Sequence, residues 1–549
     1  MAAPSGAHRL PMEGDAQASP ASGSNMSPGS SDEYYSGATG KVSLAASERQ
    51  ALRERLTPDA AGIVLCMVGL PARGKSFISR KVERFLNWRG FSTKSFNVGM
   101  YRRDAVDPER SGRSDYFDAE NSTALAARQE AAMKALIDAL VFLDDGGKFA
   151  ILDATNSTLQ RRHMIGEKVA AHSRQYSLIF IEALCDDEEV LEANMSTKVQ
   201  FSPDFKNMTS EQALADLKIR IAKYAEVYEP VQDHEGASIK LFNLSSKVMA
   251  NHCYGRVAKS ILPFLMAIHI GGRPIWLVRA GAGQPPGTGQ GSPTRHDRTS
   301  RLSEEGRSLA IGLAAFVRRR ADEYWRSIGK PQEPTLVITS TMPRAVASVC
   351  YTTLVHDQRS ALNPVDKGAI GEGWWDVECP SDVPPWKEVE FRHPEFMAQW
   401  RKNPVRCHFP GGESYNDVVM RLEGVLLDVE MCTTPVLIVS HVTTLQLLVA
   451  YFRGIPLDQA WELPVPRNTV FEVLPTPGGS FHCEEHRIDT SAFPSPEEEG
   501  EAPAVGCGGG RTCSVDFENS NPHAKRQRVA TSEDLGAAYC RCLPVACPV

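Results

Sequence analysis

One segment constrains this chain above all others: Gly69-Leu70-Pro71-Ala72-Arg73-Gly74-Lys75-Ser76. It fits the pattern G-x-x-x-x-G-K-[ST]. It follows the continuous apolar run Ile63–Val68 and leads into an amphipathic stretch at residues 76–87. A short apolar run without alternation suits a strand buried on both faces of a parallel sheet. In a strand–turn–helix of this kind, glycines let backbone N–H groups wrap a β-phosphate, and the lysine offsets charge on the β and γ oxygens. The Ser76 hydroxyl suits Mg²⁺, and the helix N-terminus adds its dipole. The segment therefore predicts a nucleoside triphosphate site.

Further apolar strands are expected at residues 149–152 and 178–181, with helices around 123–142 and 188–194. Strands alternating with helices predict a doubly wound α/β domain over residues 59–270. A second α/β series, with strands at 274–278, 336–339 and 436–439, predicts another domain over 271–477. Residues 1–58 are rich in Ser, Gly, Ala and Pro, and residues 478–549 in Pro, Glu, Gly and Ser. Both read as disordered segments with too few apolar side chains to offset ordering entropy.

Asp153 closes an expected strand, FAILDATNS, at the end where open α/β sheets bind ligands. A carboxylate there suits Mg²⁺ or an acceptor hydroxyl. Arg102, Arg103, Arg128, Arg161, Arg162, Lys198 and Arg220 suit a second anionic substrate, because arginine grips phosphate bidentately. The pattern by itself stops at a P-loop kinase of a small phosphorylated acceptor. The charge balance, 60 − 67 = −7, argues against a generally basic nucleic-acid binder. No apolar stretch reaches the ~18–20 residues of a membrane helix. The first residues lack the apolar core of a secretory signal. Thirteen scattered cysteines read as reduced thiols in a cytoplasmic protein.

VGLPARGKSFISRKVERFLNWRG, FNVGMYRRDAV, LDATNSTLQRR, FIEALCDD and the SPDF segment resemble the kinase half of the 6-phosphofructo-2-kinase/fructose-2,6-bisphosphatase family. The resemblance covers about residues 61–475, and RIAKYAEVYEP resembles plant-type members. It implies a P-loop kinase domain followed by a histidine-phosphatase-like, phosphoglycerate-mutase-like domain. The implied reaction moves the γ-phosphoryl group of Mg-ATP to the 2-hydroxyl of fructose 6-phosphate. It also implies that residues 69–76, Cys185 and Asn194 hold ATP, and that Lys75, Asp153 and Lys198 are catalytic. Arg102, Arg128, Thr155, Arg161, Lys198, Arg220 and Tyr224 match sugar-phosphate positions. Lys198 stands one position earlier than in animal-type members. A buried structural thiol is the plainer reading of Cys185. A kinase of another hexose phosphate and a non-catalytic regulator that binds nucleotide or sugar phosphate remain as rival readings.

The second half resembles the family's histidine phosphatase but departs where chemistry is needed. Family members carry Arg-His-Gly, whose histidine takes the phosphoryl group; here the residues are Arg279-Ala280-Gly281. The acidic proton donor aligns near Gly371, beside Glu372. The phosphate-holding Arg and Lys align with Trp400 and Pro404, and the later Gln and Arg with Val442 and Gln446. Arg279, Arg344, the segment from Phe409 and His441 are retained. The bisphosphatase is therefore expected to be inactive. Its remnant is either a pocket for a phosphorylated regulator or a structural body that buries the kinase flank or supports a homodimer. In the tail, His523-Ala-Lys-Arg-Gln-Arg528 reads first as a solvated linker, with nuclear import or a basophilic regulatory kinase as the alternatives, and five cysteines lack zinc-site spacing. The Ser-rich N-terminal segment suits phosphorylation and partner binding.

Overall fold

A computed structural model of the chain describes residues 62–105, 114–118, 120–283 (apart from 173, 175, 245 and 270), 302–366 and 390–493. The expectations for residues 1–58, Gly371, Glu372, the basic patch at 523–528 and the tail cysteines lie outside the described residues. The first domain holds β1 (Ile63–Val68), β2 (Thr93–Asn97), β3 (Phe149–Asp153), β4 (Ser177–Leu184), β5 (Ala237–Phe242) and β6 (Lys247–Asn251). They form one sheet in the order β2-β3-β1-β4-β5-β6. Every pair in it is parallel except β5/β6. Its helices are α1 (Lys75–Trp88), α2 (Val98–Ala105), α3 (Ser122–Asp144), α4 (Leu159–Ala170), α5 (Glu188–Phe201), α6 (Ser210–Glu226) and α7 (Arg256–Ala267).

The second domain has β7 (Ile275–Arg279), β8 (Leu336–Thr339), β9 (His356–Gln358), β10 (Val436–Ser440), β11 (Thr469–Pro475) and β12 (Phe481–Arg487). The order is β12-β11-β7-β10-β8-β9, with β11 antiparallel to both its neighbours. Its helices are α8 (Glu304–Ile328), α9 (Pro343–Ala347), α10 (Pro394–Lys402), α11 (Tyr415–Met431) and α12 (Val442–Arg453). Order thus continues past Pro477, which corrects the expected start of a tail at 478. The Pro477-Gly-Gly run is a hairpin turn into β12. That strand lies at the sheet edge with no fully buried residue, and edge strands carry charged side chains. Its sequence, FHCEEHR, therefore looks like tail.

The central strands β1, β3, β7 and β10 are the apolar runs legible in the sequence, buried along nearly their whole length. Val64, Cys66, Leu136, Leu140 and Ile165 build the core between the first sheet and helices α3 and α4. Trp276, Val278, Leu309, Leu313 and Val439 do the same under α8. A third cluster is continuous across the two domains: Phe85, Trp88 and Phe264 of the first belong to it with Leu422, Leu448 and Tyr451 of the second. Helix α1 carries this junction. Phe85 stacks on Phe264 with ring centroids 4.1 Å apart, and Trp88 Nε1 donates to the Leu447 carbonyl at 2.8 Å. Lys81 pairs with Glu430 at 2.7 Å, with both side chains buried.

Candidate active site

The Gly-rich loop leaves β1 and turns into α1. Gly69 N donates to the Thr155 carbonyl at 2.9 Å, which pins the loop to the chain that leaves β3. Gly69 has φ +135°, and a Cβ there would stand 2.5 Å from the Ala183 carbonyl oxygen. Only glycine meets both demands. Gly74, at φ +81°, caps α1 from the left-handed region. Lys75 folds back so that Nζ donates to the Leu70 carbonyl at 2.6 Å. Burial, then the Lys198 charge, pushes its pKa down to about 7; Asp153 opposes the shift and Arg73 adds to it. The loop thus holds a lysine whose charge is poorly solvated.

A cavity of about 350 Å³ opens over this loop. Pro71, Ala72, Gly74, Lys75, Ser76, Arg102, Arg128, Asp153, Thr155, Arg161, Asn194, Lys198, Arg220 and Tyr224 all line it. These come from six different stretches of chain. Asp153 is buried at the end of β3, and Asn97 Nδ2 at the end of β2 donates to its Oδ2 at 2.6 Å. Helix α5 carries Asn194 and Lys198 along the cavity wall. Burial first, then Arg220, lowers the Lys198 pKa, with Asp153 and Asp204 pulling the other way.

Asp204 organises the arginines. Its two oxygens accept from Arg102 Nη2 at 2.7 and 2.6 Å, from Arg103 Nη1 at 3.1 Å and from Arg220 Nη1 at 2.9 Å. Burial would raise its pKa, but Arg102 and Arg220 hold it down at about 2. The Phe117 ring lies against the same group, with Arg220, Arg102 and Arg128 guanidinium carbons 4.2, 5.0 and 5.8 Å from its centroid. Arg128 also donates to the Phe117 and Asp118 carbonyls, both at 3.2 Å. Guanidinium groups fixed this way face an anion without first losing side-chain entropy.

Gly69, Leu70, Arg73 and Cys185 do not line the cavity. Gly69 and Leu70 act through the backbone. Cys185, half-buried rather than buried, follows β4 and lies near enough to Arg73 for each to influence the other's charge. Sequence reasoning passed over Asn97, Phe117, Asp204 and Arg80, all of which line the cavity. Asn97 was findable by the argument that picked Asp153, a polar residue at the C-terminal end of a parallel strand. Asp204 had no comparable signal, being one acid among many in the sequence, and Arg162, expected with the other cations, lies outside the cavity and pairs with Glu235. Ser76 and Asp153 present a hydroxyl and a carboxylate to one cavity, hard oxygen donors of the kind Mg²⁺ shares with phosphate and water.

In the second domain, Arg279 ends β7, and Ala280 is buried with its N–H donating to the Ser440 carbonyl at 2.8 Å. Arg344 Nη2 donates to His441 Nδ1 at 2.9 Å. Arginine can only donate, so Nδ1 is the acceptor and Nε2 carries the proton toward Ser340 Oγ, 2.9 Å away. Ser340 in turn donates to Asn363 Oδ1 at 2.8 Å. Both ring nitrogens of His441 are thereby engaged. Trp400 packs edge-on against Trp461, with centroids 5.0 Å apart. Gln446 donates to the Trp461 and Leu463 carbonyls, both at 2.9 Å.

The family model for 6-phosphofructo-2-kinase matches residues 54–271, and that for histidine phosphatase superfamily branch 1 matches residues 275–489. The Gallus gallus 6-phosphofructo-2-kinase/fructose-2,6-bisphosphatase is 33% identical over 429 residues, 77% of this chain and 84% of its own. The chain belongs to this family. The Arabidopsis thaliana relative of the same description is 34% identical over 442 residues, 79% of this chain, which spans 55% of that longer relative. The Homo sapiens relative described as form 3 is 33% identical over 421 residues, 76% of this chain and 75% of its own. The family settles the order of the halves, a kinase domain followed by a histidine-phosphatase-like domain. No helix among the described residues is long and apolar enough to cross a membrane.

Proposed function

We propose that the chain phosphorylates fructose 6-phosphate at its 2-hydroxyl, using ATP, and does not hydrolyse the fructose 2,6-bisphosphate it makes. The observation that carries the reading is the convergence of the P-loop, Asp153, Lys198 and the arginines held by Asp204 in one cavity. Residues 69–76 would hold the triphosphate, with Asn194 beside it. Arg102, Arg128, Arg161 and Arg220, with Thr155 and Tyr224, would hold the sugar phosphate. When bound, Mg²⁺ on Ser76 and Asp153 would neutralise phosphate charge. The acceptor oxygen bonds to the γ-phosphorus, the bond to the β–γ bridging oxygen breaks, and ADP leaves with that electron pair. Asp153, oriented by Asn97, takes the hydroxyl proton. Lys75 and Lys198 balance charge on the migrating group, and most of the acceleration comes from positioning and electrostatics.

Ala280 supports the second part of the reading, because a methyl group at the family's nucleophile position cannot take a phosphoryl group. His441 does not replace it, since Arg344 and Ser340 occupy its two nitrogens. Seven free cysteines among the described residues suit a reducing compartment, and we assign the protein to the cytoplasm. A paired assay on the full chain tests both parts: synthesis of fructose 2,6-bisphosphate is expected, and release of phosphate from it is not. In the same assay Lys75→Ala should lower turnover by about three orders of magnitude, the cost of removing a charge-stabilising donor. Family-typical hydrolysis would defeat the second half of the proposal, and absence of synthesis the first.

A further inference from the structure

The cavity of the first domain is walled partly by the second. Pro477 and Gly478, in the turn between β11 and β12, line it together with Phe77 and Arg80 of α1. Arg80 stands one helical turn beyond Ser76 and so shares its face of the helix. Its side chain crosses to the second domain and donates from Nη1 to the Gly478 carbonyl. The turn leaves no space for side chains at this seam. A Cβ on Gly478 would stand 2.7 Å from Arg80 Nη1, and one on Gly479 would stand 3.0 Å from the Phe77 ring. Arg84 Nη1 donates to the Gly479 carbonyl at 3.0 Å. Phe481, which opens β12, lies 4.2 Å under Lys81 Nζ and 5.0 Å from the Arg84 guanidinium. The turn is thus fastened on its far side, and its near side holds an arginine at the rim of the cavity.

We propose that Arg80 is a further nucleotide-binding residue, and that the Gly478 carbonyl of the second domain is the group that positions it. The inference rests on the kinase reading above and deepens it. A domain that has lost its nucleophile keeps a part in the neighbouring site. Arg80 adds a cation on the helix that follows the phosphate loop, one turn beyond Ser76, whereas the arginines gathered by Asp204 come from α2 and α6. The anion it meets is therefore the nucleotide rather than the sugar phosphate.

Arg80→Ala and Gly478→Ala in the full chain test this, with Mg-ATP and fructose 6-phosphate affinities read separately by calorimetry and by KM. Arg80 is exposed and Gly478 does not have a positive φ, so both variants should keep the wild-type melting temperature. Arg80→Ala should weaken Mg-ATP about tenfold, the size of one charge-assisted hydrogen bond, with kcat and fructose 6-phosphate affinity nearly unchanged. Gly478→Ala, which displaces the guanidinium, should give a smaller loss of the same kind. The double variant should be no weaker than Arg80→Ala alone, since both act through one group. Arg80→Lys should recover part of the affinity. Unchanged Mg-ATP affinity in Arg80→Ala, or a loss confined to fructose 6-phosphate, would overturn the assignment. Additive losses would overturn the positioning role of the turn. Calorimetry reads these outcomes even if the wild type proves to make no fructose 2,6-bisphosphate, so the two readings fail separately.

Discussion

Lys75 couples the phosphate site to protons. Its folded pKa is about 7, well below the usual 10.5 of a lysine, so between those values the unfolded chain holds a proton that the folded chain releases. Stability therefore rises with pH through that window, and below it the full penalty of a buried cation is present. A triphosphate reverses the sign by favouring the charged amine. At pH 8 we expect Mg-ATP binding to take up about one proton, seen as a slope when binding enthalpy is plotted against buffer ionisation enthalpy. Lys75→Met should abolish most of the slope, and an unchanged slope would place the proton elsewhere. Asp204 shows the opposite case. Its depressed pKa means a stabilising contribution that is complete above the usual carboxylate range and lost as pH falls toward 2. Asp204→Asn should loosen Arg102, Arg103 and Arg220 and raise the KM for fructose 6-phosphate about tenfold or more. Mg-ATP affinity should hardly move.

Helix α1 serves two structures at once. Its N-terminus lines the cavity over the Gly-rich loop, and its C-terminal half is buried between the domains. Lys81, Glu430, Tyr451 and Arg273 form a buried polar group there. Glu430 pairs with Lys81 and accepts from the Tyr451 hydroxyl, while Arg273 donates to the Val429 and Glu430 carbonyls. Burial alone would raise the Glu430 pKa, but Lys81 and Tyr451 hold it below the usual value. Glu430→Ala leaves Lys81 charged and buried without its partner, which costs about 3–5 kcal/mol. The measurement is the denaturation midpoint, and a shift worth under 1 kcal/mol would show that water reaches the site. The strand elements show how far a sequence can be read. β1, β3, β7 and β10 are apolar on both faces, and their periodicity betrays them. β2, β9 and β12 lie at sheet edges with mixed or polar residues, and their strand identity comes from the neighbour they pair with.

At the scale of the molecule, the continuous core makes the two domains one thermodynamic body. Full-length protein should unfold in a single calorimetric transition, with van't Hoff and calorimetric enthalpies in agreement. Two resolved transitions would show that the interface is weaker than its burial implies. The same packing answers part of the question left by the second domain. It buries the kinase flank through α11 and α12, whatever its pocket binds. Ala280→His should not restore family-typical hydrolysis, because Trp400 and Gln446, which the sequence resemblance aligns with substrate-holding positions, are committed to packing and to carbonyls. Phosphate release at a family-typical rate from that variant would show that the alanine alone silences the domain.

The sequence by itself determined the Gly-rich loop, the strand before it and the helix after it, Asp153 at a strand end, and an alanine after Arg279. Each of these is local: a fixed spacing of glycines and lysine, an unbroken apolar run, a residue type in a recognisable motif. Tertiary structure alone decided which cations face one another and what restrains them. Asp204 lies 102 residues from Arg102 and 16 from Arg220, and no periodicity links them. It also decided that a turn beyond Pro477 closes the wall of a cavity begun at Pro71. Such contacts depend on the shape of a shared core rather than on any window of chain.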